Sequence, residues 1–170
     1  MNLTRIFGLI SLSLMIAILP AAAHAAVFGQ QDVDRVVEVG KAIQSLTNEV
    51  ANTLKSLPPN ESERIQAYAV VESNLEAIRE RWNTVFFLVL ILAQLGNSAD
   101  EARILNLLYD HVLPKATEYL TDKRNYVISI GRAQSDNLLS SYSGHAAKLI
   151  DSQALPLVDQ FYRRLGSIHK

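Results

Sequence analysis

Residues 65–95, IQAYAVVESNLEAIRERWNTVFFLVLILAQL, carry the strongest periodic pattern in the chain. Apolar side chains recur there every three or four residues, with charged side chains between them. The recurring positions are Ile65, Tyr68, Val71, Leu75, Ile78, Trp82, Val85, Val89 and Leu92. This spacing predicts one long amphipathic helix from about Glu61 to Leu95, and Gly96 ends it because glycine tolerates a left-handed C-cap.

Two further helices are predicted on either side of this one. The first runs from about Asp32 to Leu57 and stops at Pro58–Asn60, because proline lacks the backbone donor and crowds the preceding turn. The third begins at a capping-box pattern, Ser98–Glu101, and continues towards Leu138. Pro114 lies inside it and predicts a kink or a break. Residues 126–130 alone would suit a strand, but an isolated strand has no partner in this chain, so they are predicted to be helical.

The last helix is predicted to begin at Ser143, which follows a turn at Ser140–Gly144, and to run to about Leu165 with a bend at Pro156. Long helices joined by turns of a few residues pack antiparallel. The predicted fold is therefore an all-α, antiparallel up-and-down bundle of four helices, or of five if Pro114 breaks the third.

The N-terminal segment has the three zones of a secretory signal peptide. Arg5 supplies the positive charge, and Ile6–Leu19 is an apolar run of about 14 residues, short of the ~20 that a spanning helix needs. Signal peptidase requires small side chains at the first and third positions before the cut, which Ala25 and Ala23 provide. We therefore expect cleavage before Ala26 and export to the periplasm or the extracellular space.

Removal of residues 1–25 from the 170-residue chain leaves 145 residues, 26–170, which suits a single helical-bundle domain. The chain has no cysteine, which excludes disulfides and thiolate metal sites. Its net charge of −1 becomes −2 without Arg5, so it has no electrostatic footprint for nucleic acid.

No catalytic or metal-binding motif is found in the sequence. A di-iron bundle uses Glu-x-x-His, but Leu108 lies three residues before His111, and the His-Glu-x-x-His pattern of zinc hydrolases is absent. Ser141, Ser143 and His145 lie close together without the Gly-x-Ser-x-Gly elbow that exposes a catalytic serine. We therefore expect a non-enzymatic chain without a metal ion or other cofactor.

Nine apolar residues, Val85–Ala93, follow one another without interruption. A helix that is apolar on all sides is either enclosed by its neighbours or faces something other than water. The segment Trp82–Leu95 would be only ~21 Å long as a helix, too short to cross a ~30 Å hydrocarbon core. Val85, Val89 and Leu92 are expected to be needed for folding. The candidate interaction surface, to which nearby tyrosines are added, consists of Trp82, Phe86, Phe87, Leu90 and Ile91.

These patterns favour an exported structural or interaction subunit that binds a protein partner or associates with itself, with membrane contact but no membrane span. One alternative is a carrier of a small ligand, or an enzyme, with its site between the helices. A third is a helical protein that acts on membranes. A carrier requires a cavity with convergent polar groups, whereas an interaction subunit requires an exposed apolar patch.

Overall fold

The computed structural model describes residues 27–57, 62–95, 99–133 and 137–168, and in these ranges the chain forms four helices and no strand. Helix α1 is Gln30–Ser56 and α2 is Ser62–Gln94. Helix α3 consists of the consecutive segments Ala99–Leu107, Leu108–Val112 and Leu113–Ala133. Helix α4 consists of Asn137–Leu149, Ile150–Ala154 and Leu155–Gly166. The all-helical prediction is confirmed for these ranges, residues 126–130 included.

Several predicted features lie outside the described residues. They are the signal peptide with Ala23, Ala25 and Ala26, the stop at Pro58–Asn60 and the cap at Ser98.

The middle segments of α3 and α4 are π-helical, and each is followed by leucine and then proline. The N–H of Leu113 donates to the carbonyl of Leu108, and that of Leu155 to Ile150, five residues earlier in both cases. In an α-helix, the ring of Pro114 would collide with the carbonyl four residues before it. The wider π turn makes room for the ring. Helix α3 therefore continues through Pro114 and is not divided there.

The prediction of a turn at Ser140–Gly144, with Ser143 as a helix cap, is wrong, because these residues lie inside the first segment of α4. Ser143 is buried where α4 approaches α3 so closely that a Cβ on Gly131 would lie 2.7 Å from the Ser143 Cβ. Burial of Leu139 and its neighbours at this contact outweighs the ~1 kcal/mol that a helical glycine such as Gly144 costs.

Each helix lies antiparallel to the next, and α4 returns to pack against α1. Contacting pairs along two helices run in opposite directions. They are Val36–Trp82 and Gln44–Arg79 for α1 and α2, Tyr109–Tyr162 and Arg124–Asp151 for α3 and α4, and Asp32–Arg164, Arg35–Gln160 and Thr53–Tyr142 for α1 and α4. Helices α2 and α3 meet at Arg81 and Tyr119, and Thr84 and Val112 line one cleft between them. This order places the C-terminal half of α2 beside the start of α1 and the start of α3.

Aromatic and charged side chains fasten the beginning of α1 to the end of α4. The ring of Phe28 is fully buried and meets Phe161 edge-on, with centroids 4.9 Å apart. The guanidinium of Arg164 lies 5.1 Å from the centre of the Phe28 ring and donates to both carboxylate oxygens of Asp32 at 2.9 Å. Asp32 also accepts from the backbone N–H of Gly29, which fixes the first turn of α1.

Candidate interaction surface

The core-facing side of α2 follows the predicted stripe. Its members from Tyr68 onward are at most 3% exposed, namely Tyr68, Val71, Leu75, Ile78, Trp82, Val85, Val89 and Leu92, and Ile65 is half-buried. No helix in the described ranges has the length and apolar character that a membrane span requires. Because these stripe residues are buried, the bundle core accounts for one side of the uninterrupted apolar run Val85–Ala93.

Trp82, one of the five candidate surface residues, belongs to that core. Its side chain is 3% exposed, and its indole N–H donates to the backbone carbonyl of Val36 at 2.7 Å. Gly40 makes room for the ring, since a Cβ there would lie 3.3 Å from the Trp82 Cδ1 atom. Trp82 therefore fastens α2 to α1, and its inclusion in an accessible surface is corrected.

The other four candidates divide between the flank and the outer side of α2. Phe87 is 50% exposed and Ile91 is 39% exposed, whereas Phe86 and Leu90 are half-buried and pack against the core. The rings of Phe86 and Phe87 lie 5.6 Å apart at an interplanar angle of 54°. Phe87 and Ile91 are one helical turn apart, so they project side by side from the bundle.

The outer side of α2 changes character along the helix. Its first five turns carry exposed Ser73 and Glu80, as is typical of a helix face in water. Between Arg81 and Asp100 the sequence has no charged residue. Four-residue steps along this uncharged part give the outer row Asn83, Phe87, Ile91 and Leu95. From Phe87 onward, α2 is therefore apolar along this outer row, which points away from the core.

Leu107 of α3 extends this apolar area onto a second helix. Because α3 runs antiparallel to α2 and Arg81 meets Tyr119, the last turns of α2 lie beside the first two segments of α3. Leu108 is fully buried, and the adjacent Leu107 is 44% exposed. Sequence reasoning missed Leu107, although two adjacent leucines cannot both face one side of a helix. We call Phe87, Ile91 and Leu107, with the half-buried Phe86, Leu88 and Leu90, the apolar patch.

A surface cleft of about 460 Å³ lies between α2 and α3, beside the apolar patch. Its lining includes Arg81, His111 and Lys115, and also Glu118 and Asp122. All five side chains are exposed to solvent, and they carry both signs of charge. A ligand carrier would instead use polar groups that converge inside a largely apolar pocket.

Tyr119 forms part of the floor of this cleft. The Arg81 guanidinium and the Lys123 ammonium each lie 5.5 Å from the centre of its ring. Partial burial raises the pKa of the Tyr119 hydroxyl, and the positive charge of Arg81 opposes that effect. The ring therefore remains neutral at physiological pH and offers its π face to cations.

Tyr68, Tyr109, Tyr142 and Tyr162 lie at contacts between helices, whereas Tyr126 is 48% exposed. Tyr109 and Tyr162 stack with centroids 4.7 Å apart and an interplanar angle of 18°, and their hydrogen bond raises the pKa of Tyr109. The Tyr142 hydroxyl lies 2.6 Å from that of Thr53, within hydrogen-bond distance, and its ring meets Tyr68 edge-on. These tyrosines join α4 to the other three helices, and the Tyr109 ring faces α4.

The residues considered for catalysis do not converge. Ser143 is 2% exposed, whereas Ser141 and His145 are on the surface. His111 lies in the cleft, and His169 is outside the described residues. Within the ranges that the structure covers, no three His, Cys, Asp or Glu side chains are grouped so that they could hold a metal ion.

No protein-family model, curated protein or solved structure matches this chain. A functional proposal therefore depends on the surfaces themselves.

Proposed function

We propose that this chain is an exported protein that acts by binding another protein, as a structural or interaction subunit in the periplasm or outside the cell. The supporting observation is the exposure of Phe87 and Ile91. Earlier on the same side of α2, the exposed residues Ser73 and Glu80 are polar. Single exposed apolar side chains are ordinary, but a contiguous group on two helices is typical of a contact surface.

Export is the second part of the proposal. The support is the sequence of the N-terminal segment, with Arg5, the apolar run Ile6–Leu19 and the small residues Ala23 and Ala25. The mature protein would then be residues 26–170, one helical-bundle domain. Intact mass measurement of the protein recovered from the envelope or the medium should give a chain that begins within two residues of Ala26. Recovery of exported protein that retains Met1 would contradict it.

Cross-linking in the native host tests the contact surface. A photo-reactive amino acid at Ile91 should give a discrete protein adduct, whereas the same group at Ser73, on the same side of α2, should not. Lipid adducts at Ile91 would favour a membrane-active protein, and vesicle co-sedimentation would then measure that binding. The absence of any adduct at Ile91 would refute a role for this surface in binding.

A second candidate is a small-ligand carrier: the exposed lining of both charges argues against it, and the volume favours a ligand in the cleft beside the apolar patch. The cleft volume of about 460 Å³ is within the range of ligand sites. Native mass spectrometry of protein isolated from the host should then show a bound small molecule, which Arg81→Ala would lose. A ligand-free mass for the wild type would exclude this alternative.

A further inference from the structure

We infer that the occupant of the apolar patch is a second copy of this chain, with α2 packed against α2 around a two-fold axis that passes between Phe87 and Ile91 on the outer side of the helix. This inference depends on the proposed function, in which the patch is a contact surface. The surface then has one partner, and the two α2 helices pair in one register.

The shape of α2 fits its own copy. The outer row Asn83, Phe87, Ile91 and Leu95 is a ridge of residues spaced by four. Two such ridges interdigitate when helices cross at about −50°, the commonest class of helix packing. Because both copies present the same ridge, a two-fold axis at its centre satisfies both at once. Phe87 of one copy then lies against Ile91 of the second copy, and this contact occurs twice.

The charge distribution also permits self-pairing. A two-fold interface uses the same surface on both subunits, so a charge near the axis would meet its own kind. The sequence between Arg81 and Asp100 contains no charged residue, and the exposed polar residues Asn83 and Gln94 lie near the two ends of the part that belongs to α2. The acidic Glu76 and Glu80 are at least nine residues from the centre, and the crossing angle separates them from the second copy.

The exposed area sets the strength of this association. Phe87, Ile91 and Leu107 are 50%, 39% and 44% exposed, so with their half-buried neighbours they offer only a few hundred Å². A stable interface buries ~800 Å² on each partner. The dimer should therefore be weak, and its fraction should rise with protein concentration between about 10 µM and about 500 µM.

Sedimentation velocity of the exported protein over that range tests the surface. The wild type should shift from monomer towards dimer. Ile91→Asp should remain monomeric, because it places two carboxylates close to the axis in an otherwise apolar contact. Ser73→Asp, the same change about five turns away, should dimerise like the wild type. Far-UV circular dichroism checks that each variant is folded.

A charge exchange tests the register. Phe87→Glu and Ile91→Lys should each be monomeric alone. Mixed in equal amounts they should form a heterodimer, since one contact becomes a glutamate–lysine pair and the other remains Ile91 against Phe87. If the mixture stays monomeric although the wild type dimerises, the antiparallel register is wrong.

Failure of this inference is distinguishable from failure of the proposed function. If the wild type stays monomeric up to about 500 µM, while the photo-reactive group at Ile91 captures a different protein, the surface binds but its partner is not a second copy. If the wild type is monomeric and no protein adduct forms at Ile91, both proposals fall.

Discussion

Replacing Val89 with aspartate should remove most of the free energy that keeps this chain folded. Val89 is fully buried on the core side of α2. The change loses ~1.5–3 kcal/mol of apolar burial. An unpaired buried carboxylate shifts its pKa upward by up to ~3–5 units, at ~1.4 kcal/mol for each unit at neutral pH. A carboxyl whose pKa exceeds the pH takes up a proton, so the ionisation penalty at pH 7 is limited to ~4 kcal/mol. The sum of ~5.5–7 kcal/mol is comparable with the whole stability of a typical domain, ~5–15 kcal/mol.

Ile91→Asp is the matched control, two residues away on the same helix. Ile91 is 39% exposed, so the new carboxylate stays hydrated. The loss should be ~1–2 kcal/mol, from partial apolar burial and from a negative charge in the last turn of α2. Urea denaturation followed by the fluorescence of Trp82, the only tryptophan in the chain, gives both values from one probe in the core.

The pH dependence separates charge burial from simple loss of packing. Because the pKa of the new carboxyl is raised in the fold, the Val89→Asp variant regains stability as the pH falls from neutral towards about 4, where the carboxyl becomes protonated in the unfolded chain as well. Equal losses for the Val89 and Ile91 variants, or a deficit at Val89 that does not change with pH, would refute this account of α2.

Three further predictions concern contacts outside α2. Arg164→Ala should lower the free energy of unfolding by ~1–2 kcal/mol, because it removes the ion pair with Asp32 and the contact with the Phe28 ring at the start of α1. The side chain of Arg163 is 79% exposed, so Arg163→Ala should lower it by less than ~0.5 kcal/mol, and thermal melts of both variants measure the difference. Gly131→Ala should destabilise the fold by ~1–3 kcal/mol, because the new Cβ would lie 2.7 Å from the Ser143 Cβ. Gly144→Ala should stabilise the fold by ~0.5–1 kcal/mol, because no atom lies within 4 Å of its new Cβ, and urea denaturation midpoints measure both changes. The folded-state pKa of Tyr109 lies above its ordinary value of 10.0, so its contribution to stability is present below pH 10.0 and is lost as the pH rises through the folded pKa. Tyr109→Phe should therefore reduce the fall in melting temperature between about pH 9 and about pH 11, and an unchanged fall would contradict this cause.

Periodicity predicted the helices best where one apolar stripe ran without interruption. In α2, each stripe position from Tyr68 to Leu92 is buried, because spacing by three and four residues fixes one side of a helix. The local signals at Ser140–Gly144 predicted a turn, but packing of Ser143 against α3 outweighed them. The spacing around Pro114 gave no sign of a π turn, because a single wider turn leaves the stripes on both sides almost unchanged.

The candidate surface was predictable only in part. The apolar run indicated that some residues between Val85 and Ala93 lie away from the core, and Phe87 and Ile91 do. Hydrophobicity could not distinguish Trp82, which belongs to the stripe, from a surface residue. Leu107 was missed because its exposure depends on which of two adjacent leucines faces α2, and that is decided by the packing of α3.

The burial of Phe28 has a consequence for the order of events during biogenesis. If signal peptidase cuts before Ala26, only Ala26 and Val27 separate the scissile bond from a ring that is 0% exposed in the fold. A protease needs extended chain on both sides of the bond that it cuts. Once Phe28 is buried in the bundle, the chain next to the bond can no longer extend in this way. Processing would therefore have to occur on a chain whose end had not yet docked, and a precursor that folded early would resist cleavage. Maturation would then compete in time with the closing of one end of the bundle.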